Sequence, residues 1–221
     1  MRWNFPALPS AVAGTASAVW GVTITADPGA PAPQSLPAFA VLFAHARSEQ
    51  VVRAIARRTN LVLPAATVLV VGDGPIAEAL TTTLTRGGSR IVRAAGEPVA
   101  RLRAGLAGLR TVPPSAPWPA ADHVIATGEG HAPVDPSVLR GVLIDASPDG
   151  TGLIAAGGRQ VRPFVHRTAA RTWVVDAPAV FDAGPTASPP STRIADLLIA
   201  LSILRVRTND ADARLARLVV A

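Results

Sequence analysis

The chain contains no Lys, no Cys and no Tyr, and its only Met is Met1. Each absence removes a class of chemistry. Without Cys there is no thiolate nucleophile, no thiolate metal site and no disulfide framework. Without Lys there is no Schiff base and no ammonium general base, and without Tyr there is no phenolic acid. Aromatics are scarce too, four Trp and five Phe in 221 residues, which leaves few platforms for stacking nucleic-acid bases. All 21 basic residues are Arg, against 15 acidic ones, for a formal charge of +6. They are scattered rather than clustered, so the charge argues against a nucleic-acid partner. Arg in place of Lys amid abundant Ala, Pro and Gly is the bias of a GC-rich coding sequence.

What remains is four His, fifteen carboxylates and a 49% apolar fraction, enough for a sizeable core in one domain with an appendage. Residues 7–24 are apolar, but Pro9, Gly14, Gly21 and several Ser and Thr interrupt them. They predict neither a signal peptide nor a membrane span, and a cytoplasmic location is the expectation. No His pair has i, i+4 spacing, so no metal is expected.

Residues 1–37 read as a Pro/Ala-rich appendage ending in the linker "PGAPAPQSLP", with β-prone runs at 18–20 and 22–25. From Ser48, Val51, Val52, Ile55 and Leu61 keep helical spacing, with Arg53, Arg57 and Arg58 on the other side. The apolar run Thr67 to Val71 then meets Gly72-Asp73-Gly74, Pro75 and a helical pattern ending at Gly87-Gly88. Strand, glycine turn, helix with an early Pro and glycine stop agree with one another. Further strands are expected at 89–94, 109–112, 123–126 and 141–145, with helical stretches at 98–106 and 136–139 and an exposed connection at 113–119. The runs 161–166 and 172–175 read as a hairpin or edge strands, and apolar helices at 194–204 and 211–218 close the chain. The fold class predicted is α/β, a Rossmann-like doubly wound parallel sheet with an N-terminal appendage and a C-terminal hairpin plus helices.

Gly72-x-Gly74-x-x-Ala77 is a dinucleotide fingerprint in its Ala-ended form. The first Gly permits a tight turn, the second lets a pyrophosphate approach the backbone, and the helix N-terminus faces the anion. Gly72, Asp73, Gly74, Pro75 and Ile76 are therefore the candidate phosphate-binding residues. The acid that would hold an adenosine ribose is expected about 20 residues on. Ala95 stands there, with Glu97 the nearest carboxylate and Arg93 an alternative for a 2'-phosphate or a sheet-end ion pair. Asp73 beside a pyrophosphate adds repulsion unless it points to solvent. The same glycines also serve a plain strand-to-helix turn.

From Gln50, the text "QVVRAIARRTNLVLPAATVLVVGDGPIAEALTTTLTRGGSRIVRAAGEP" resembles the entry helix and cofactor domain of the S-adenosylhomocysteine hydrolase family, without a gap. "HVIATGEG", "GVLIDAS" and "RTWVVDAPAVFDAG" resemble later strands and the late hairpin of that family. The resemblance covers roughly residues 38–204 and implies a Rossmann-like domain over 38–221, with an entry helix at 47–60, a late hairpin at 160–182 and closing helices at 192–218. It leaves no room for the family's N-terminal substrate domain. It implies an NAD-type cofactor, with NADP less favoured or the cofactor absent, and Thr127 and Gly128 beside it.

The departures are specific. The resemblance places Ala38 and Leu42 where the family has its catalytic Lys and Asp, and Phe43 where it has the adjoining Asn. The ribose acid is Ala95, the late cofactor-binding Asn is Phe181, the substrate-binding His is Ser188, and a Gly-His pair is Ser147-Pro148. The parent hydrolysis is therefore not expected. Of His45, His123, His131 and His166, only His131 follows a Thr-Gly turn at the carboxyl end of a strand, two residues past Glu129. Glu129 and His131 are the candidate acid–base pair, against a plain solvated loop.

Two readings stand. One is a divergent relative binding a nicotinamide dinucleotide or an adenosine-type ligand and doing altered biosynthetic chemistry. The other is a non-catalytic, pseudoenzyme-like module that binds a partner or forms a dimer, its cleft filled by Phe181, Phe43 or the appendage. A small-molecule ligand and a homodimer are expected, without membrane or nucleic acid.

Overall fold

The structure is a computed structural model that describes residues 2–4, 13–14, 17–18, 23–32, 37–115, 117–139, 141–148, 152–154 and 158–177. The expected closing helices, Phe181, Ser188 and the end of the late hairpin lie outside the described residues. The chain divides into two compact units, 1–46 with 180–221, and 47–179.

In the first unit, β1 (Arg2–Asn4) pairs in parallel with β2 (Thr23–Thr25), in register from Arg2 opposite Thr23. The Asn4 amide donates to the Pro31 carbonyl at 2.9 Å. The β-prone run at 22–25 thus finds its partner at the very start of the sequence. Helix α1 (Pro37–Arg58) begins within this unit and continues into the second. It takes in the start of the expected entry helix at 47–60 and reaches back through an Ala-rich stretch with no breaker after Pro37. Ala38 and Leu42 therefore lie in its opening turns, and Phe43 stacks on Phe39 one turn away at 6.0 Å between centroids.

The second unit holds an eight-stranded sheet in the order β5-β4-β3-β6-β7-β10-β9-β8. Its strands are β3 (Thr67–Val71), β4 (Arg90–Ala94), β5 (Arg110–Val112), β6 (His123–Ala126), β7 (Val142–Asp145), β8 (Gly158–Arg162), β9 (Val165–Thr168) and β10 (Trp173–Asp176). Six run parallel, from β5 to β10, and the β8–β9 hairpin adds an antiparallel edge. The α/β, Rossmann-like class expected from the sequence is the fold observed. The run 161–166 is not one strand, because the chain reverses within it at Phe164, whose φ is +62.

Helices α2 (Pro75–Arg86) and α3 (Pro98–Leu106) form the crossovers from β3 to β4 and from β4 to β5, and α2 packs on both β3 and β4. Strand residues alternate between faces. Leu69, Val71, Val92, Ala94, Val124, Ala126 and Leu143 build one buried cluster, covered by Trp118, Ala121, Val134, Leu139 and Leu153 from connecting segments. The 3-10 turn Pro136–Val138 is the only helical turn described between β6 and β7. Strand order reverses between β3 and β6. In open α/β sheets a ligand crevice forms outside the carboxyl ends of the strands at such a switch point.

Candidate functional site

The turn after β3 and the turn after β6 meet at this point. Thr127 ties them, its amide and its hydroxyl both donating to the Val71 carbonyl at 3.1 and 3.0 Å. The Asp73 amide donates to the Glu129 carbonyl at 2.9 Å. Gly72 has φ +146, and a Cβ there would stand 2.0 Å from the Thr127 hydroxyl. The first fingerprint glycine is needed here for both backbone and space.

Helix α2 starts at Pro75 with Gly74 as its N-cap and no side-chain cap from its own segment. Its first free amides are held from the other turn. The Ile76 amide donates to Glu129 Oε1 at 3.0 Å and the Ala77 amide to Oε2 at 2.9 Å. A helix N-terminus with aligned N–H groups and a positive dipole end is the seat a pyrophosphate takes in this fold. Here a carboxylate of the same chain takes it. Burial pushes the Glu129 carboxyl above the usual range, opposed by the Ile76 and Ala77 amides, Thr127 and the Arg93 charge.

Asp73 points neither into the seat nor freely to solvent. Its Oδ1 accepts from the Gly96 amide at 2.8 Å and its Oδ2 from the Glu97 amide at 3.2 Å, stapling the glycine turn to the end of β4. Gly130, at φ +68, leaves the room, since a Cβ there would lie 2.7 Å from Asp73 Oδ2. Glu97 is engaged elsewhere. It caps α3, accepting from the Ala100 amide at 2.6 Å, and the Val99 and Ala100 amides hold its carboxyl below the usual range.

Arg93 runs under the turn rather than out of the sheet end. It is 2% exposed and donates from Nη2 to the Gly72 carbonyl at 2.7 Å and from Nη1 to Thr81 at 2.9 Å. Burial lowers its pKa, against the pull of Glu78, Glu129 and Asp73. With both Nη donors committed inward, it replaces the expected sheet-end ion pair by a support for the turn. The Gly128 amide donates to His131 Nε2 at 2.9 Å, which requires that nitrogen to be unprotonated, so the neutral ring carries its proton on Nδ1 against the Ala132 carbonyl at 2.7 Å. Gly72, Asp73, Gly74, Pro75, Ile76, Thr127, Gly128, Glu129 and His131 thus share one crevice, with Glu97 at its β4 side.

As arranged, these residues do not fit a dinucleotide. The amides that would hold its pyrophosphate are bonded to Glu129, Asp73 is bonded across the turn, and Ala95 offers a ribose no acceptor. Among the described residues no cluster of His, Cys, Asp or Glu could hold a metal ion, and no helix is long and apolar enough to cross a membrane.

Sequence reasoning missed three groups. Arg47, fully buried, donates to the carbonyls of Ala146 at 2.9 Å, Ser147 at 2.7 Å and Ala177 at 3.2 Å, gathering the ends of β7 and β10. Its signal was available, since a charge at position 47 interrupts the apolar stripe formed by Phe43, Val51 and Ile55. Buried Asp145 accepts from the Ser147 amide and hydroxyl at 2.9 and 2.6 Å. His166 pairs with Asp176 at 3.1 Å, where burial raises the Asp176 carboxyl and the His166 charge opposes it.

No family model and no curated protein matches the chain. Solved structures do. A dipicolinate synthase from Bacillus halodurans is similar over 83% of this chain and 59% of its own, with TM-score 0.57 and 17% identity. The dipicolinate synthase from Bacillus subtilis is similar over 89% and 62%, at 0.55 and 13%. The transhydrogenase from Sinorhizobium meliloti is similar over 86% and 63%, at 0.53 and 20%. The chain thus spans about three fifths of the length of the structures it matches. At these identities the likeness is one of fold.

Proposed function

We propose that the chain is a divergent Rossmann-type protein that binds an adenosine-type or nicotinamide dinucleotide ligand in the crevice outside β3 and β6, and that it is not a working adenosylhomocysteinase. The observation that carries this reading is the coincidence of the switch point with two glycine turns hydrogen-bonded to each other through Thr127, Asp73 and Glu129. A loop pair that only connected elements would have no need of positive φ at Gly72, Gly128 and Gly130 around one opening. The resemblance to the hydrolase family supports the ligand class, and Ala38 and Leu42, in a chain without Lys, argue against the parent chemistry.

Glu129 and His131 serve this reading better as shapers of the crevice than as an acid–base pair. Both carboxylate oxygens and both ring nitrogens are occupied by main-chain groups. The engaged Glu129 carboxylate is also what favours the second reading, a non-catalytic dimer-forming or partner-binding relative. Calorimetry and thermal shift with adenosine, S-adenosylhomocysteine, NAD and NADH, with native mass of the purified chain, separate the two. Binding of one ligand per chain supports the first. Silence from a folded chain overturns it in favour of the second.

A further inference from the structure

We infer that Glu129 is the residue that sets the ligand class of the crevice: it is an internal occupant of the diphosphate seat, and it turns the site toward nucleosides that carry no diphosphate. This rests on the ligand-binding reading above and narrows it. Three observations converge. The Glu129 carboxylate takes two successive amides of α2, one on each oxygen, as two oxygens of a bound diphosphate would. Gly74 leaves the space this requires, because a Cβ there would stand 2.5 Å from both Cδ and Oε1 of Glu129. Asp73, the other residue of the turn with a charge, is a second carboxylate, fixed on the Gly96 and Glu97 amides.

The charges facing the seat decide the sign. Asp73 comes from the turn, Glu78 from α2, Glu129 from the turn after β6, and Arg93 from β4 beneath. The cation among these four has both Nη donors turned to Gly72 and Thr81. A diphosphate would therefore have to displace a carboxylate from two charge-assisted hydrogen bonds and enter a field of like charge. A neutral nucleoside meets neither cost. It can lie across the β3 and β6 turns while Glu129 keeps its place.

The test is calorimetric titration of the wild-type chain and of Glu129→Ala and Glu129→Gln with inorganic pyrophosphate, NADH and adenosine, with melting curves for all three proteins. Glu129→Ala empties the seat and is expected to bind pyrophosphate and NADH at least about 10-fold more tightly than wild type. Glu129→Gln keeps the volume and loses the charge, and should show a smaller gain in the same direction. Adenosine affinity should stay within about twofold, because the nucleoside does not use the seat. A wild-type chain that binds pyrophosphate as well as Glu129→Ala does, or folded variants that gain nothing, overturns the inference. Adenosine silent in all three proteins while the pyrophosphate gain is present overturns the nucleoside reading and leaves the seat assignment standing.

Discussion

Gly74 and Glu129 fit together as an absent side chain and a present one: a Cβ on Gly74 would lie 2.5 Å from the carboxyl carbon of Glu129, although the φ of −94 at Gly74 suits any residue. The glycine is thus required by the carboxylate and not by the backbone. Gly74→Ala should evict Glu129 from the start of α2 and cost about 2 kcal/mol through lost charge-assisted hydrogen bonds. In a Glu129→Ala background the same substitution should cost only a fraction of that. A double-mutant cycle by urea unfolding reads the coupling, and additive effects would contradict the fit.

Gly72 is required for two reasons at once, φ +146 and a 2.0 Å approach of any Cβ to the Thr127 hydroxyl. Gly72→Ala should destabilise the fold by about 3 kcal/mol or more. Adding Thr127→Ala should recover only part of this, since the backbone strain stays. Full recovery in equilibrium unfolding would assign the whole effect to the contact.

Burial raises the Glu129 carboxyl, so its charged form is the costly one in the folded state. A raised folded-state pKa contributes stability that is present at low pH and lost as pH rises through that value. Relative to Glu129→Gln, the wild-type chain should gain melting temperature as pH falls from neutral toward about 5, with no further gain below the ordinary Glu value of about 4.3. A wild-type chain that instead loses ground over this interval would show the amides and Arg93 outweighing burial.

Arg47 serves three carbonyls at the ends of β7 and β10 from a fully buried position. Arg47→Leu fills much of the volume and leaves those acceptors unpaired, which should cost about 3 kcal/mol. Chemical denaturation should show the midpoint falling with little change in slope. An unchanged midpoint would mean that water or neighbouring donors take the place of the guanidinium.

The sheet was legible because its signals are local and mutually consistent. The apolar run 67–71, the Gly72 and Gly74 pair, Pro75 and the Gly87-Gly88 stop each state the same element boundary. The crevice residues were legible too, since a glycine fingerprint after a strand and a Thr-Gly turn after another converge at a switch point. What they do there was not. That Glu129 reaches Ile76 and Ala77 across 53 and 52 positions depends on how two turns pack, and no periodicity records it. Glu97 could have been read as a cap, because an acid directly before Pro98 at a helix start is an N-cap signal, and the ribose expectation hid it. Arg93 looked like an edge charge because a strand pattern gives the side of the sheet and not the depth of the neighbouring helix.

The seat of Glu129 on the first amides of α2 is the claim on which the ligand class turns. Nitrogen–proton and carbon-detected correlation spectra of the unmodified chain across a pH titration test it directly, followed through the backbone signals of Ile76 and Ala77 and the side-chain carboxyl carbon of Glu129. The account predicts that all three move together with one inflection above the ordinary Glu range. Ile76 and Ala77 signals that stay flat while the Glu129 carboxyl titrates at its ordinary value would contradict it.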